Sequence, residues 1–427
     1  MLDMKLFRDN PEVIRRDHER RGISQEPIDE VIRLDNEWKN SLHTMEASRR
    51  KRNIAAKEIA EAKKQGDQNK VNAILSQVKD LGLEIEQLDA RAKDLLLQRD
   101  NLRMRIPNIL HDDVPSGDDE QGNTMKTLSG EKSDFSFTPK THNELIEINK
   151  WVDLERGAKV TGSRFFFLKG DLARMEIALQ QFSIDHLASR GFTLVQPPVM
   201  MNREAYEGVT DLSDFETVMY GVEPDKLYMI ATSEHPLTAM FKDEVIEPSK
   251  LPIMMVGVSP CFRREVGAHG LSDRGIWRVH QFTKVEQIII CHPDDSWNHH
   301  EVLLENCRSL WDALEIHYQI VNICTGDMGT VAAKKYDLEA WLPGANAYKE
   351  IVSCSNCTDY QANRLKMRYR TPEGNAPVHT LNSTAVATSR ALVAIIEQNQ
   401  LEDGRVKIPE VLRSYMHGQE ILEPCQW

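Results

Sequence analysis

The 427-residue sequence is poor in the features that mark secreted, membrane and dinucleotide-binding proteins. Its seven cysteines are scattered and odd in number, which argues against a disulfide framework. No apolar run approaches the roughly 18 residues that span a bilayer, so no membrane partner is expected. The opening MLDMKLFRDNPEVIRR lacks an apolar core and carries Asp3, Asp9 and Glu12. A secretory or transit peptide is therefore not expected, and a cytoplasmic protein is. GxGxxG and GxxxxGK[ST] are both missing, which excludes a Rossmann fingerprint and a P-loop. Cys354-x-x-Cys357 has no second CxxC or CxxH at finger spacing, and His299, His300 and Cys307 are too loosely arranged to supply one. No zinc is expected.

What is present is an acidic chain, net charge −13, whose length suggests two or three domains and whose 41% hydrophobic residues are ample for packed interiors. Such a balance argues against nucleic-acid binding over the whole surface but permits a local basic stripe. Proline is missing from Val31 to Arg105, where apolar spacing predicts two long helices. Val71, Ile74, Val78, Leu81, Ile85, Leu88, Ala92, Leu95, Arg99 and Leu102 alternate three- and four-residue steps, a coiled-coil seam. A weaker seam runs through Val31, Leu34, Trp38, Met45, Ala55, Ile59 and Ala62. Gln65-Gly66-Asp67-Gln68-Asn69 between them reads as a turn, giving an antiparallel two-helix hairpin over about 31–105. Arg49, Arg50, Lys51 and Arg52 sit on its first helix. They suit phosphate contact, although a solvated helix face fits the same residues. Arg15, Arg16, Arg20 and Arg21 form a second basic patch with the same two readings.

Ile106 to Asn123 is rich in Pro, Asp and Gly, which places a linker over 106–130 between domains at 1–105 and 131–427. In the second domain, strands (Phe165 to Leu168, Ile253 to Val258, Val285 to Cys291) alternate with amphipathic helices (Leu172 to Ser189, Ser296 to Leu314, Ser389 to Asn399). Hairpin-like loops between several strands predict an α+β fold, with a mostly antiparallel sheet flanked by helices.

The stretch Cys261 to Glu286, CFRREVGAHGLSDRGIWRVHQFTKVE, reads as two strands joined by a glycine-bearing loop. Phe262-Arg263-Arg264-Glu265 is placed on the first and Val279-His280-Gln281-Phe282 at the start of the second. Alternation puts Arg263 and Glu265 on one face, an arginine fork beside a carboxylate. That pair suits a ligand with a phosphate and a donor-bearing base, and Phe282 could supply a stacking surface. A surface hairpin with solvated charges fits the spacing equally well.

This stretch resembles the second motif of the class II aminoacyl-tRNA synthetases. Gly191-Phe192-Thr193-Leu194-Val195-Gln196-Pro197-Pro198 resembles their first motif, which builds a dimer interface. Asn382-Ser383-Thr384-Ala385-Val386-Ala387-Thr388-Ser389-Arg390 resembles the third. Within the class the chain is similar to the seryl enzymes, through Thr161 to Gly170, Thr232 to Leu237, Glu350 to Gln361, Asp118 to Gln121 and the helical arm.

The resemblance implies a catalytic domain over 131–427, an N-terminal tRNA-binding domain, a homodimer, and ligation of L-serine to tRNA(Ser), with tRNA(Sec) as a further acceptor. ATP and magnesium are the implied cofactors. Arg263 would bridge the α-phosphate and the serine carboxylate, and Glu265 would accept from the adenine amino group. Phe282 would stack on the ring, with Arg390 on its other side near the γ-phosphate. ATP would also touch Arg264, Val279, His280, Gln281, Ile351 and Val352, and Glu350 and Ser353 would hold magnesium. Thr232 and Glu234 would face the serine amino group, and Glu286 would read its hydroxyl with Asn382 and Thr384. Arg263, Glu350 and Arg390 would carry the chemistry, while Arg49, Arg50, Lys51 and Arg52 would contact tRNA. The loop from Gly267 to Gly275 would touch the acceptor end.

Two other readings use the same fold. A paralogue could adenylate a small amino acid and pass it to a non-tRNA acceptor, but it should have lost the arm. A coiled-coil scaffold with a dead site should have lost Arg263, Glu265, Glu350 or Arg390, and all four are present.

Overall fold

The structure, a computed structural model, describes residues 1–211, 217–265 and 275–427. Two compact units divide the chain, one from Leu2 to Pro107 and one from Asn108 to Trp427.

The N-terminal unit is dominated by α1 (Glu26–Gln65) and α2 (Gln68–Arg103), helices of 40 and 36 residues. Gly66 ends α1 in the left-handed conformation at φ +74°, which costs a glycine little. Asp67 then caps α2 by accepting from the Lys70 backbone N–H. Of the seam positions, Val31, Leu34, Met45, Ala55, Ala62, Val71, Ile74, Ile85, Ala92 and Leu95 are buried. The arginine in the seam, Arg99, is buried too, and its NH1 donates to Asp35 Oδ1 at 2.7 Å.

The second unit is built on one eight-stranded sheet. Its framing elements are β1 (Thr124–Ser129), α3 (Gly170–Ala188), β2 (Thr193–Val195), α4 (Glu234–Ala239), β3 (Ile253–Phe262) and β4 (Gln281–Cys291). They continue with α5 (Ser296–Ala313), β5 (Tyr318–Asn322), β6 (Lys334–Leu342), β7 (Ala347–Asn356), β8 (His379–Ala387) and α6 (Thr388–Gln398). The strand order is β1-β5-β6-β7-β8-β4-β3-β2, antiparallel except for the β3/β2 pair. Part of the stretch expected to be linker, Thr124–Ser129, is thus the edge strand of this sheet, paired with β5. Its polar composition fits an edge, where half of each residue faces water.

Helices α3, α5 and α6 share one apolar core with the sheet, through residues such as Leu172, Leu179, Leu303, Trp311, Val285, Leu338 and Ile395. A second core holds α4 against the opposite side, through Leu237, Met255, Ile288 and Ile290. Alternation along β4 sends Ile289 into the first core and Ile288 and Ile290 into the second. Among the described residues no helix is long and apolar enough to cross a membrane.

Candidate active site

A cleft opens over the middle of the sheet, where β3, β4, β7 and β8 lie near α4 and the start of α6. Its larger lobe is a cavity of about 640 Å³, within the range of pockets that enclose small ligands. The two lobes share Arg263, Glu265, Arg278, Lys284, Glu350 and Arg390 among their linings, so they form one continuous site.

The first strand stops short of Arg263, contrary to the expectation from sequence. The β3/β4 ladder ends at Phe262↔Gln281, so Arg263 and Glu265 do not share a strand face and Val279 and His280 precede β4. The Arg264 N–H leaves the ladder to donate to the Val218 carbonyl at 2.9 Å, and Glu265 turns left-handed at φ +46°. Both Arg263 and Glu265 still line the cleft. Arg164, from the TGSRF segment, holds the turn by donating to the Glu265 carbonyl at 2.8 Å. Arg278 sits 3.3 Å from the Glu265 carboxylate. The Arg263 guanidinium lies 5.4 Å from the centre of the Phe282 ring.

Other expected nucleotide contacts divide. Val279, Ile351 and Ser353 line the cleft with Glu350 and Arg390. Arg264 and Gln281 are exposed residues outside its lining, and Val352 points into the core. His280 also lies outside the lining, with Nδ1 2.8 Å from the Arg263 carbonyl and 2.9 Å from the Tyr220 hydroxyl. Arg390 packs over the Trp277 ring at 5.3 Å and donates to the Glu350 carbonyl at 2.8 Å. Glu350 is 45% exposed at its side chain. Partial desolvation in the cleft works against its ionisation, but Arg390, Lys335 and Arg263 hold its carboxyl below the ordinary range.

The other end of the cleft gathers Thr232, Glu234, Glu286, Asn382 and Thr384. Sheet register does much of this, because Glu286 on β4 stands opposite Thr384 on β8. Gly257 on β3, opposite Glu286 on its other side, lets α4 lie close. A Cβ there would come 2.7 Å from the Ser233 hydroxyl and 2.6 Å from Leu237. That close approach brings the start of α4, with Thr232 and Glu234, beside the sheet. Glu286 is 1% exposed, and burial pushes its carboxyl up, opposed by Lys284. Burial, with the charge of Glu286, pushes Glu234 up to about 7. Gln361 donates to Glu234 Oε1 at 2.9 Å.

Sequence reasoning missed Lys284, Arg278 and Trp277, which all line the cleft. For Lys284 a signal existed, because strand alternation puts it on the same face as Glu286. Cys354 and Cys357 are both buried, and burial pushes both thiols far up. Among the described residues no group of three or more His, Cys, Asp or Glu side chains is arranged to hold a metal ion. Of the loop 267–275, only Gly275 lies within the described residues.

In the N-terminal unit Arg49, Arg50, Lys51 and Arg52 are all exposed. Four successive helical residues sweep about 300° around the axis, so they spread over several faces rather than forming one stripe. The earlier basic patch is partly neutralised. Arg15 reaches Asp29 at 2.6 Å, and Arg21 pairs with Asp17 at 2.9 Å.

Comparison with known proteins finds relatives along the whole chain. Residues 1–110 match the seryl-tRNA synthetase N-terminal domain, and residues 220–399 match the tRNA synthetase class II core domain (G, H, P, S and T). A serine–tRNA ligase of Methanospirillum hungatei is 49% identical over 427 residues, covering 99% of this chain and 100% of the relative. The crystal structure of seryl-tRNA synthetase from Pyrococcus horikoshii complexed with ATP superposes with a TM-score of 0.93 at 43% identity, covering 100% of both chains. The cytoplasmic enzyme of Naegleria fowleri in complex with AMP gives 0.89 at 35% identity, covering 99% of both. With both domain types matched and similarity along the whole length, the chain belongs to the seryl-tRNA synthetase family of class II aminoacyl-tRNA synthetases.

Proposed function

We propose that the chain is a serine–tRNA ligase that uses ATP to make seryl-adenylate and then esterifies the terminal adenosine of tRNA(Ser). The observation that carries this reading is the single cleft joining two sets of side chains. Arg390 and Glu350 stand at one end and Thr232, Glu234 and Glu286 at the other, with Arg263 between them. The first set suits a triphosphate and the second a small amino alcohol.

In the first step a serine carboxylate oxygen attacks the α-phosphorus and pyrophosphate leaves. Neither reactant needs a protein nucleophile, so positioning and charge stabilisation carry the rate. Arg263, between the two ends, neutralises the α-phosphate and orients the attacking carboxylate. Phe282 supports the adenine, Glu265 accepts from its amino group, and Arg390 meets the outer phosphates. In the second step a ribose hydroxyl of the tRNA attacks the seryl carbonyl and AMP leaves.

Glu286 and Thr384 read the serine hydroxyl, while Thr232 and Glu234 take the ammonium group. Alanine leaves the buried Glu286 without its donor, a penalty that rejects it strongly. Threonine meets a shape filter of about 1–3 kcal/mol.

The donor set near the phosphate end suits magnesium. Glu350 and Ser353 offer hard oxygens in the lining, and the buried Asp337 Oδ1, on the residue opposite Ser353, lacks a hydrogen-bond partner. Glu350 and Ser353 would hold the ion, which when bound neutralises phosphate charge.

A homodimer through the first motif is part of the proposal. Exposed Ile177 on α3 and Leu194 on β2 support it as apolar surface in search of a partner. Contact of the arm with tRNA and work in the cytoplasm complete it. The non-tRNA acceptor is disfavoured by the intact N-terminal domain. ATP–pyrophosphate exchange tested with each of the standard amino acids is expected to respond to serine alone. Exchange driven by another amino acid, or by none, would overturn the reading.

A further inference from the structure

Lys284 is buried in the serine end of the cleft, with its side chain 10% exposed. Its Nζ lies 2.5 Å from Glu286 Oε2 and 3.4 Å from the Thr232 hydroxyl. The ion pair is close but poorly directed, leaving Glu286 Oε2 without a well-formed hydrogen bond. Glu234 shares the same compartment. The cations that act on these two carboxylates are Lys284 and Arg263.

Serine arrives as a zwitterion, and its ammonium group finds ready acceptors in Glu234 and Thr232. Its carboxylate needs a positive partner until it has been joined to the phosphate as a mixed anhydride. Arg263 is shared with the α-phosphate and cannot serve the carboxylate alone. A compartment holding Glu234 and Glu286 without Lys284 would carry excess negative charge. It would then favour a simple amino alcohol, such as ethanolamine, which offers the same ammonium and hydroxyl groups without the carboxylate.

Resting on the serine-ligase reading, we propose that Lys284 is a specificity-determining residue. It supplies the buried counter-charge that makes this pocket select an amino acid zwitterion over the corresponding amino alcohol cation. Hydrogen-bond readout by Glu286 recognises the hydroxyl, whereas Lys284 recognises the carboxylate by balancing charge. The two tasks fall to neighbouring positions on one face of β4.

The test compares wild type, Lys284→Met and Lys284→Arg by pyrophosphate exchange, with serine as substrate and ethanolamine as competitor. In Lys284→Met the preference for serine over ethanolamine, as the ratio of Ki to KM, is expected to fall about 30-fold or more. The fall has two parts, a raised serine KM and tighter ethanolamine inhibition, because the competitor's ammonium replaces the missing charge. Lys284→Arg keeps the charge and is expected to retain most of the preference.

A merely structural lysine would weaken serine and ethanolamine together, leaving the ratio unchanged, and that result overturns the proposal. Should Lys284→Met fail to fold, loss of the preference in a folded Lys284→Arg protein overturns it equally. Absence of serine-dependent exchange in wild type would instead sink the ligase reading itself, so the two failures are distinguishable.

Discussion

Arg390 rests against Glu350, with NH1 3.2 Å from the carboxylate Oε2 and 2.8 Å from the carbonyl of the same residue. One guanidinium thus ties the start of α6 to β7, across the proposed phosphate end of the cleft. The indole of Trp277 lies beneath it, so the group is held on two sides before any nucleotide arrives. Fixing a planar cation in this way suits it to meet phosphate oxygens with little reorganisation.

Replacement of Arg390 by lysine keeps the charge but loses the fork and much of the stacking on Trp277. The KM for ATP in pyrophosphate exchange is expected to rise about tenfold, with the serine KM little changed. Steady-state kinetics with each substrate varied in turn checks this. An equal rise in both would place Arg390 outside the phosphate end.

Glu234 is an acid whose ordinary range lies well below its value of about 7 in the folded chain. Because the folded value is the higher, stability present at low pH is lost as pH rises through that window. Serine binding runs the other way, since an ammonium needs the charged carboxylate. Between about pH 6 and about pH 8 the serine KM is expected to fall about tenfold, and Glu234→Gln should flatten the profile. A wild-type KM independent of pH over that span would contradict the role given to Glu234.

Asp35 anchors the N-terminal unit. Arg8 donates to both of its oxygens at 2.8 Å, Arg99 to Oδ1 at 2.7 Å, and Lys39 lies 2.8 Å from Oδ2. Burial pushes the Asp35 carboxyl up, but these three cations hold it far below the usual range. Its folded value is depressed, so its contribution is present above the ordinary carboxylate range and lost as pH falls through and below it. Asp35→Asn is expected to cost about 3 kcal/mol near neutral pH, the lower end for a buried pair because Arg8 and Lys39 reach solvent. Urea unfolding followed by helical circular dichroism measures the cost, which should shrink as the pH is lowered toward about 3.

Alanine at Arg49, Arg50, Lys51 and Arg52 together is expected to leave serine-dependent exchange intact while raising the KM for tRNA about tenfold or more. Fewer phosphate contacts should also reduce the salt dependence of charging. Loss of exchange in step with charging would make the cluster structural.

Much of this architecture was legible in the sequence because it follows from periodicity. The alternating seam from Val71 to Leu102 fixed the second helix of the arm, and the apolar runs of β3 and β4 marked the central strands. Arg99 stood out as the charged residue in the seam, but its partner Asp35 lies on the other helix and depends on their register. The end of β3 was misplaced because the Arg264 N–H is claimed by Val218, far away in sequence. Lys284 went unnoticed although alternation aligned it with Glu286, because a lysine on a strand ordinarily faces water. The edge strand Thr124–Ser129 was hidden by a composition that suits both a linker and an edge.

One cleft is expected to hold the adenine, the reacting phosphate and the serine side chain in line. A crystal structure of this chain with a non-hydrolysable seryl-adenylate mimic tests it most directly. The adenine ring is expected against Phe282, the phosphate surrogate on Arg263 and the seryl hydroxyl within reach of Glu286. A mimic bound with its hydroxyl away from Glu286, or outside the cleft altogether, would contradict it.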